Sequence, residues 1–192
     1  MFSTNYLYSS HCNLSSFYYS FEFYKEGGPV FIQIGGEGAA SDRFLYDGAW
    51  IKWAMQNKAA LFILEHRYYG LSRPTEDLST KNLQWLSSRF VIVRCISKIH
   101  MLHICCQCLY VDIITNYWSK VCFYLCRQGQ NDLANFIEAM TEAHNLTGPW
   151  IAFGGSYPGS MAAWVREKFP HLISGSVSSS GPLLAKVINN RI

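Results

Sequence analysis

Four short apolar runs, each closed by glycine or small residues and separated by helical patterns, constrain this chain more than any other feature. "VFIQI" (30–34) lies between Gly27-Gly28-Pro29 and the loop Gly35-Gly36-Glu37-Gly38. "AALFILEHRYYG" (59–70) ends in a polar cluster and Gly70, "WIAF" (150–153) runs into Gly154-Gly155, and "ISGSVSSSGP" (173–182) is built of small residues. Between these runs the period changes to that of a helix. Asp47 stands as a cap ahead of Trp50, Ile51, Ala54 and Met55, and Asn131 or Asp132 ahead of the stripe Leu133, Phe136, Ile137 and Met140. Met161, Trp164, Val165 and Phe169 make a third amphipathic helix, which Pro170 ends. Buried strands alternating with such helices imply an α/β domain around a mostly parallel sheet. Ligand chemistry in these sheets gathers beyond the carboxyl ends of the strands. Residues 35–38, 65–70 and 154–159 all fall there.

The composition suits a packed core: 49% of the residues are hydrophobic and 15% charged, which argues against disorder. The net charge of +3 comes from scattered lysines and arginines, with no basic run interleaved with aromatics, so no nucleic-acid footprint is expected. The first residues, "MFSTNYLYSSHCNLSSFYYSFEFY", lack a basic start and a continuous apolar stretch and make a poor signal peptide. Residues 1–26 read as a poorly defined segment ahead of one domain over 27–192.

Residues 90–127 break the rhythm. Of seven cysteines, all but Cys12 lie here, at 95, 105, 106, 108, 122 and 126. The stretch has neither glycine nor proline, nor a clear period, and Lys98, His100, His103, Gln107 and Asp112 interrupt it too often for a membrane span. Its cysteines and histidines match no paired zinc spacing, so no metal is expected. The reading favoured is translated non-coding sequence, such as a retained intron, joining "LQWLSSR" to "NDLANFIEAM".

In "PWIAFGGSYPGSMAAW" (149–164), Ser156 stands on a glycine pivot between strand and helix. A serine that serves as a nucleophile in such a sheet must stand clear of its strand on a strained turn, with small neighbours to let strand and helix approach. Gly154 occupies the position two before the serine. Two after it stands Pro158, tolerable because the first helical turn has no partner for its N–H, and Gly159 follows. The oxyanion donor would be the N–H of Tyr157. A Gly-Ser loop without chemistry is the alternative, and the strand before, the helix after and the two other glycine-rich strand ends weigh against it.

Together "GGPVFIQIGGEG", "ILEHRYYGLSRP", "LQWLSSR", "NDLANFIEAM" and "FGGSYPGSMAAWVREKFPHLISGSVSSSGPL" resemble the S28 family of serine peptidases, and "LSSR" and "REKFPHLISGSVSSSGP" resemble its thymus-specific branch most. The resemblance covers roughly residues 27–89 and 128–188. It implies an α/β-hydrolase-type sheet, of which these residues are the N-terminal part, and an exopeptidase that cleaves small peptides, often after proline, through an acyl-enzyme. It implies no cofactor, a peptide substrate, and a secreted or lysosomal home; the oligomeric state stays open. Ser156 matches the nucleophile, with Gly36 or Glu37 as the second oxyanion donor. Glu37 either pairs with a substrate's amino terminus or braces its loop. Tyr68 and Tyr69 are candidates for the substrate site, and Glu65 and Arg67 for a buried structural pair. Asn13 and Asn145 each begin a glycosylation sequon.

The triad order in this fold class is serine, acid, histidine. After Ser156 the only acid is Glu167 and the only histidine His171, both on or just past the following helix, and His66 and His144 precede the serine. The resemblance puts the acid and histidine far downstream of any residue here. These 192 residues are therefore expected to be a fragment with little or no peptidase activity. An esterase or lipase of the same fold, and a non-catalytic binding protein, are the competing readings.

Overall fold

The computed structural model describes residues 3–9, 13–73, 75, 77, 79, 81 and 115–183. The elements in chain order are β1 (Ser3–Ser9), β2 (Asn13–Ser20), β3 (Val30–Ile34), a 3₁₀ turn (Asp42–Leu45), α1 (Ala49–Asn57), β4 (Ala60–Leu64), α2 (Thr115–His144), β5 (Trp150–Gly155), α3 (Tyr157–Lys168) and β6 (Ile173–Ser179). One sheet holds the six strands in the order β1-β2-β4-β3-β5-β6. β4, β3, β5 and β6 run parallel, with Ile32 opposite both Phe62 and Ala152, and β2 and β1 add an antiparallel wing. This is the mostly parallel α/β sheet that the alternation of apolar runs and helical stripes predicts.

Successive residues of a strand face opposite sides, and the core divides accordingly. Val30, Ile32 and Ile34 of β3 and Ala60, Phe62 and Leu64 of β4 pack with Leu133, Phe136, Ile137 and Met140 of α2 and Met161, Ala162 and Val165 of α3. The alternate positions Phe31, Leu61 and Ile63 pack against Trp50, Ile51 and Ala54 of α1. Both faces are thus covered, which is why β3 and β4 read as unbroken apolar runs. Each large side chain so buried contributes roughly 2–3 kcal/mol.

The three central strands stand where the apolar runs predict them. The caps do not. Gly48, not Asp47, is the N-cap of α1, at φ 104°, while the Asp47 carboxylate accepts the Gly48 N–H at 2.8 Å. Met55 lies one position past the buried stripe and is exposed. Asn131 and Asp132 lie inside α2, which extends back to Thr115 because no proline precedes them to stop it. Their side chains reach neighbouring elements instead: Asn131 accepts the Lys168 ammonium of α3 at 2.8 Å, and Asp132 meets Arg67. Residues 90–114, with most of the segment read as a retained intron, lie outside the described residues, as do the side chains of Cys122 and Cys126. Residues 3–9 and 13–20, where the sequence has no clear pattern, form β1 and β2; Phe17 is buried against Phe136, with ring centroids 5.1 Å apart.

Candidate active site

β5 ends at Gly155 and α3 begins at Tyr157, so Ser156 alone makes the turn. Its φ of 58° and ψ of −128° lie in a region that an L-residue occupies only under constraint. The constraint is visible on both sides. The Ser156 N–H donates to the Ser179 carbonyl of β6 at 2.9 Å, and its carbonyl accepts the Ser160 N–H at 3.1 Å. Gly154 packs so close that a Cβ would run into the Pro158 carbonyl oxygen, and a Cβ on Gly159 would lie 2.9 Å from the Ser179 oxygen. The glycines therefore permit the strand–helix approach that forces the strain. Ser156 is exposed while Gly154 and Tyr157 are buried, which leaves its hydroxyl at the surface of the turn.

The loop after β3 lies against this turn. Gly35 continues the ladder through its N–H to the Leu64 carbonyl at 2.8 Å, and a Cβ on Gly36 would sit 3.1 Å from Pro158 Cγ. Glu65, just past β4, holds the far end of that loop: its buried carboxylate accepts the Ala40 N–H at 2.9 Å and the Ser72 N–H at 2.7 Å. The pairing of Glu65 with Arg67 expected from sequence is not formed. Arg67 instead makes a bidentate pair with Asp132 of α2 and donates to the Gln128 amide oxygen at 3.2 Å. The two part because both lie past the end of β4, where strand geometry no longer sets their direction: the Glu65 carboxylate turns to the backbone N–H groups of Ala40 and Ser72, and the arginine fork reaches Asp132 on α2. Asp132 precedes Leu133 on the buried stripe, the one signal in the sequence that pointed to this partner.

His66 was assigned no place in the site by sequence order, yet it sits beneath the turn. Its exposure is 8%, its Nε2 lies 3.1 Å from the Tyr157 hydroxyl, and its Nδ1 lies 2.8 Å from the Arg67 carbonyl. A carbonyl accepts only, so Nδ1 carries the proton and Nε2 accepts from the tyrosine. Burial holds the imidazole below its usual range, against the smaller opposing effects of the Arg67 carbonyl and of Asp132 and Glu37. A cavity of about 20 Å³ beside it, lined in part by Arg67, Gly129 and Met161, has room for a water and none for a substrate.

The sequence matches the model of the family described as serine carboxypeptidase S28 over residues 10–108 and 118–190. The chain belongs to the S28 serine peptidases. It is 34% identical over 162 residues to the human thymus-specific serine protease, covering 83% of this chain and 24% of that protein. The mouse counterpart is 35% identical over 161 residues, with the same coverage. A protein of Arthroderma benhamiae named "Probable extracellular serine carboxypeptidase" is 32% identical, covering 86% of this chain and 19% of its own. The chain thus spans about a quarter of the length of the curated relatives it matches. Among solved structures, the thioesterase domain from the curacin biosynthetic pathway superposes with TM-score 0.53 at 12% identity, over 99% of this chain and 48% of that one. An esterase of Pyrococcus furiosus gives 0.54 at 8%, over 95% and 50%. At these identities the likeness is one of fold, that of the α/β-hydrolases.

Of the residues singled out from sequence, the structure brings Ser156, Tyr157 and Gly36 together. Glu37 lies close enough to act on His66, and Tyr69 packs its ring on that imidazole at 5.3 Å between centroids. Tyr68 adopts φ 73° in the same loop, with its N–H on the Ser72 carbonyl at 2.7 Å. His171 is exposed past the end of α3, and His144 packs among Tyr19, Phe21 and Phe62 at the end of α2. Asn145, exposed, follows α2 just before β5, and Asn13 begins β2, so neither sequon belongs to the turn. Among the described residues no histidine or carboxylate hydrogen-bonds the Ser156 hydroxyl. No described helix is long and apolar enough to cross a membrane.

Proposed function

We propose that this chain carries the nucleophile and the oxyanion hole of a serine exopeptidase that hydrolyses small peptides, of dipeptidyl peptidase or Pro-X carboxypeptidase type. The observation that carries the reading is the strained φ of the exposed Ser156, with the Gly36 loop packed on its turn. In this reading the Ser156 oxygen attacks the scissile carbonyl, its proton passes to a base, and the carbonyl oxygen takes the charge. The N–H of Tyr157 and that of Gly36 or Glu37 receive the oxyanion, each worth a few kcal/mol of barrier, roughly 3–4. Glu37 then meets the substrate's amino terminus, and Tyr68 and Tyr69 line its path.

No described residue supplies the imidazole, and a serine hydroxyl without one is a weak nucleophile. The 192 residues alone are therefore proposed to have little or no peptidase activity, the acid and histidine coming from sequence they do not contain. Family membership suits a secreted or lysosomal enzyme, and the exposure of Asn145 suits glycosylation there.

The test is active-site labelling with a fluorophosphonate. The full-length translation product is expected to label at Ser156 and lose labelling in Ser156→Ala, while the 192-residue chain labels at least a hundredfold more slowly, roughly the cost of losing a general base. Equal rates for the two would overturn the inactivity; labelling that survives Ser156→Ala would overturn the nucleophile. Turnover of a p-nitrophenyl ester with none of a proline-containing dipeptide amide would make the protein an esterase.

A further inference from the structure

The end of β4 buries a carboxylate. Glu65 follows the strand directly and is 4% exposed, and each of its oxygens is taken by the backbone of a different loop. Oε2 accepts the Ala40 N–H at 2.9 Å, and Oε1 accepts the Ser72 N–H at 2.7 Å. The Glu65 N–H donates to the Ser16 carbonyl at 3.0 Å, which fixes the residue on β2. Ser72 is fixed as well: its hydroxyl accepts the Ser16 N–H at 2.9 Å, and its carbonyl accepts the Tyr68 N–H at 2.7 Å. Gly70, at φ 147°, clears the space, because a Cβ there would run into the carboxylate. A buried carboxylate costs stability unless its oxygens are hydrogen-bonded, and here both are.

The loop that follows β3 is an arch with both feet on the end of β4. Gly35 donates its N–H to the Leu64 carbonyl at 2.8 Å, and Ala40 donates its own to the Glu65 side chain. Gly36 and Glu37, the candidates for the second oxyanion donor, stand between the two. The arch has other neighbours: Gly36 packs on Pro158, Glu37 acts on His66, and Ala40 packs on the cluster that α1 covers. Those contacts limit where the loop lies. Orientation needs more, since apolar packing has no direction whereas an N–H···O bond weakens steeply as its angle bends. We infer that Glu65 is a positioning residue for catalysis: its carboxylate sets the far foot of the arch and so the direction from which the backbone N–H of Gly36 or Glu37 meets the oxyanion. The inference rests on the reading of Ser156 as the nucleophile and of this loop as the second donor. A donor turned away loses contact with the transition state while substrate binding, made elsewhere, persists.

The experiment uses the full-length translation product, with kcat and KM measured for a small peptide amide. Glu65→Met removes both acceptors and keeps an unbranched side chain; Glu65→Gln keeps one oxygen; Ala40→Pro deletes the donor and leaves the carboxylate in place. Glu65→Met and Ala40→Pro are each expected to lower kcat about tenfold, less than loss of a donor outright, with KM within about twofold. Glu65→Gln is expected to recover part of that loss. A peptide trifluoromethyl ketone, which adds to a serine as a tetrahedral oxyanion, is expected to bind Glu65→Met more weakly by about the factor lost in kcat. Ile137→Ala, in the core on the opposite face of the sheet from Ala40, controls for lost stability: it is expected to lower the denaturant midpoint and keep wild-type kcat. Wild-type kcat in a folded Glu65→Met, or in Ala40→Pro where Glu65→Met does not fold, would overturn the inference, while an inactive Ser156→Ala left the proposed function standing. An equal loss of kcat in Ile137→Ala would also overturn it. Full turnover in Ser156→Ala would remove the reading and the inference together.

Discussion

Ser156 is held at φ 58° and ψ −128° by hydrogen bonds to β6 and within α3, not by its own preference. Such a conformation costs about 1–3 kcal/mol for a residue with a Cβ and little for glycine. Ser156→Gly is therefore expected to raise unfolding stability by about 1 kcal/mol, and Ser156→Ala to leave it near wild type, in denaturant titrations of the same chain. Stability that falls in Ser156→Gly would deny the strain. Gly154 makes the opposite case, because its Cβ has nowhere to go but into the Pro158 carbonyl. Gly154→Ala is expected to lose about 3 kcal/mol or more, the upper range for overpacking, read as a lower denaturant midpoint at unchanged slope. Gly154 and Ser156 were both legible in the sequence because glycine and an isolated small polar residue are the chemistry a strand-to-helix pivot demands.

Between elements, the joints were not legible. Arg67 ties the end of β4 to α2 through Asp132, two side chains only 12% and 22% exposed. Arg67→Met is expected to cost roughly 2–4 kcal/mol, because it leaves the Asp132 carboxylate half-buried and unpaired. Adding Asp132→Leu should return part of that loss; a double variant as unstable as the sum of the single ones would mean the two groups do not interact. The joint at His66 has a pH signature. Its folded pKa is held below the usual 6.5 by burial, so the unfolded chain binds the proton first. The unfolded state then gains relative to the folded one as pH falls through about 6.5, and stability declines on acidification until the folded pKa is passed. His66→Gln is expected to flatten that decline in denaturation midpoints measured from pH 7.5 to 5; an unchanged pH dependence would contradict it. From sequence Glu65 and Arg67 were candidates for a buried structural pair. The carboxylate instead serves two backbone N–H groups, and the partner lies on a helix 65 positions later.

At the scale of the molecule, β6 is the outer parallel strand of the described sheet, and Val177 on it is 38% exposed. Trp53, Met55 and Leu71 are exposed elsewhere. A bare parallel edge is a template for another strand. The 192-residue chain is expected to self-associate at micromolar concentration in light scattering or sedimentation, and Val177→Lys to shift it toward monomer by charging the edge. Association unaffected by Val177→Lys would place the sticky surface elsewhere.

The sequence by itself determined the α/β class, the three central strands, the small-residue strand beside them, the serine on its glycine pivot and the family. These follow from local signals: apolar runs of strand length, helical stripes, and glycines at strand ends. The two N-terminal strands, the true reach of α2 and the partners of Glu65, His66 and Arg67 were decided only in three dimensions. Strand pairing at the edge and hydrogen bonds between distant elements depend on which surfaces meet, and a buried polar group takes whichever partner the packing brings within about 3 Å. His66 comes to lie against the turn for that reason alone: the sheet delivers it to the hydroxyl of Tyr157, 91 residues further along the chain.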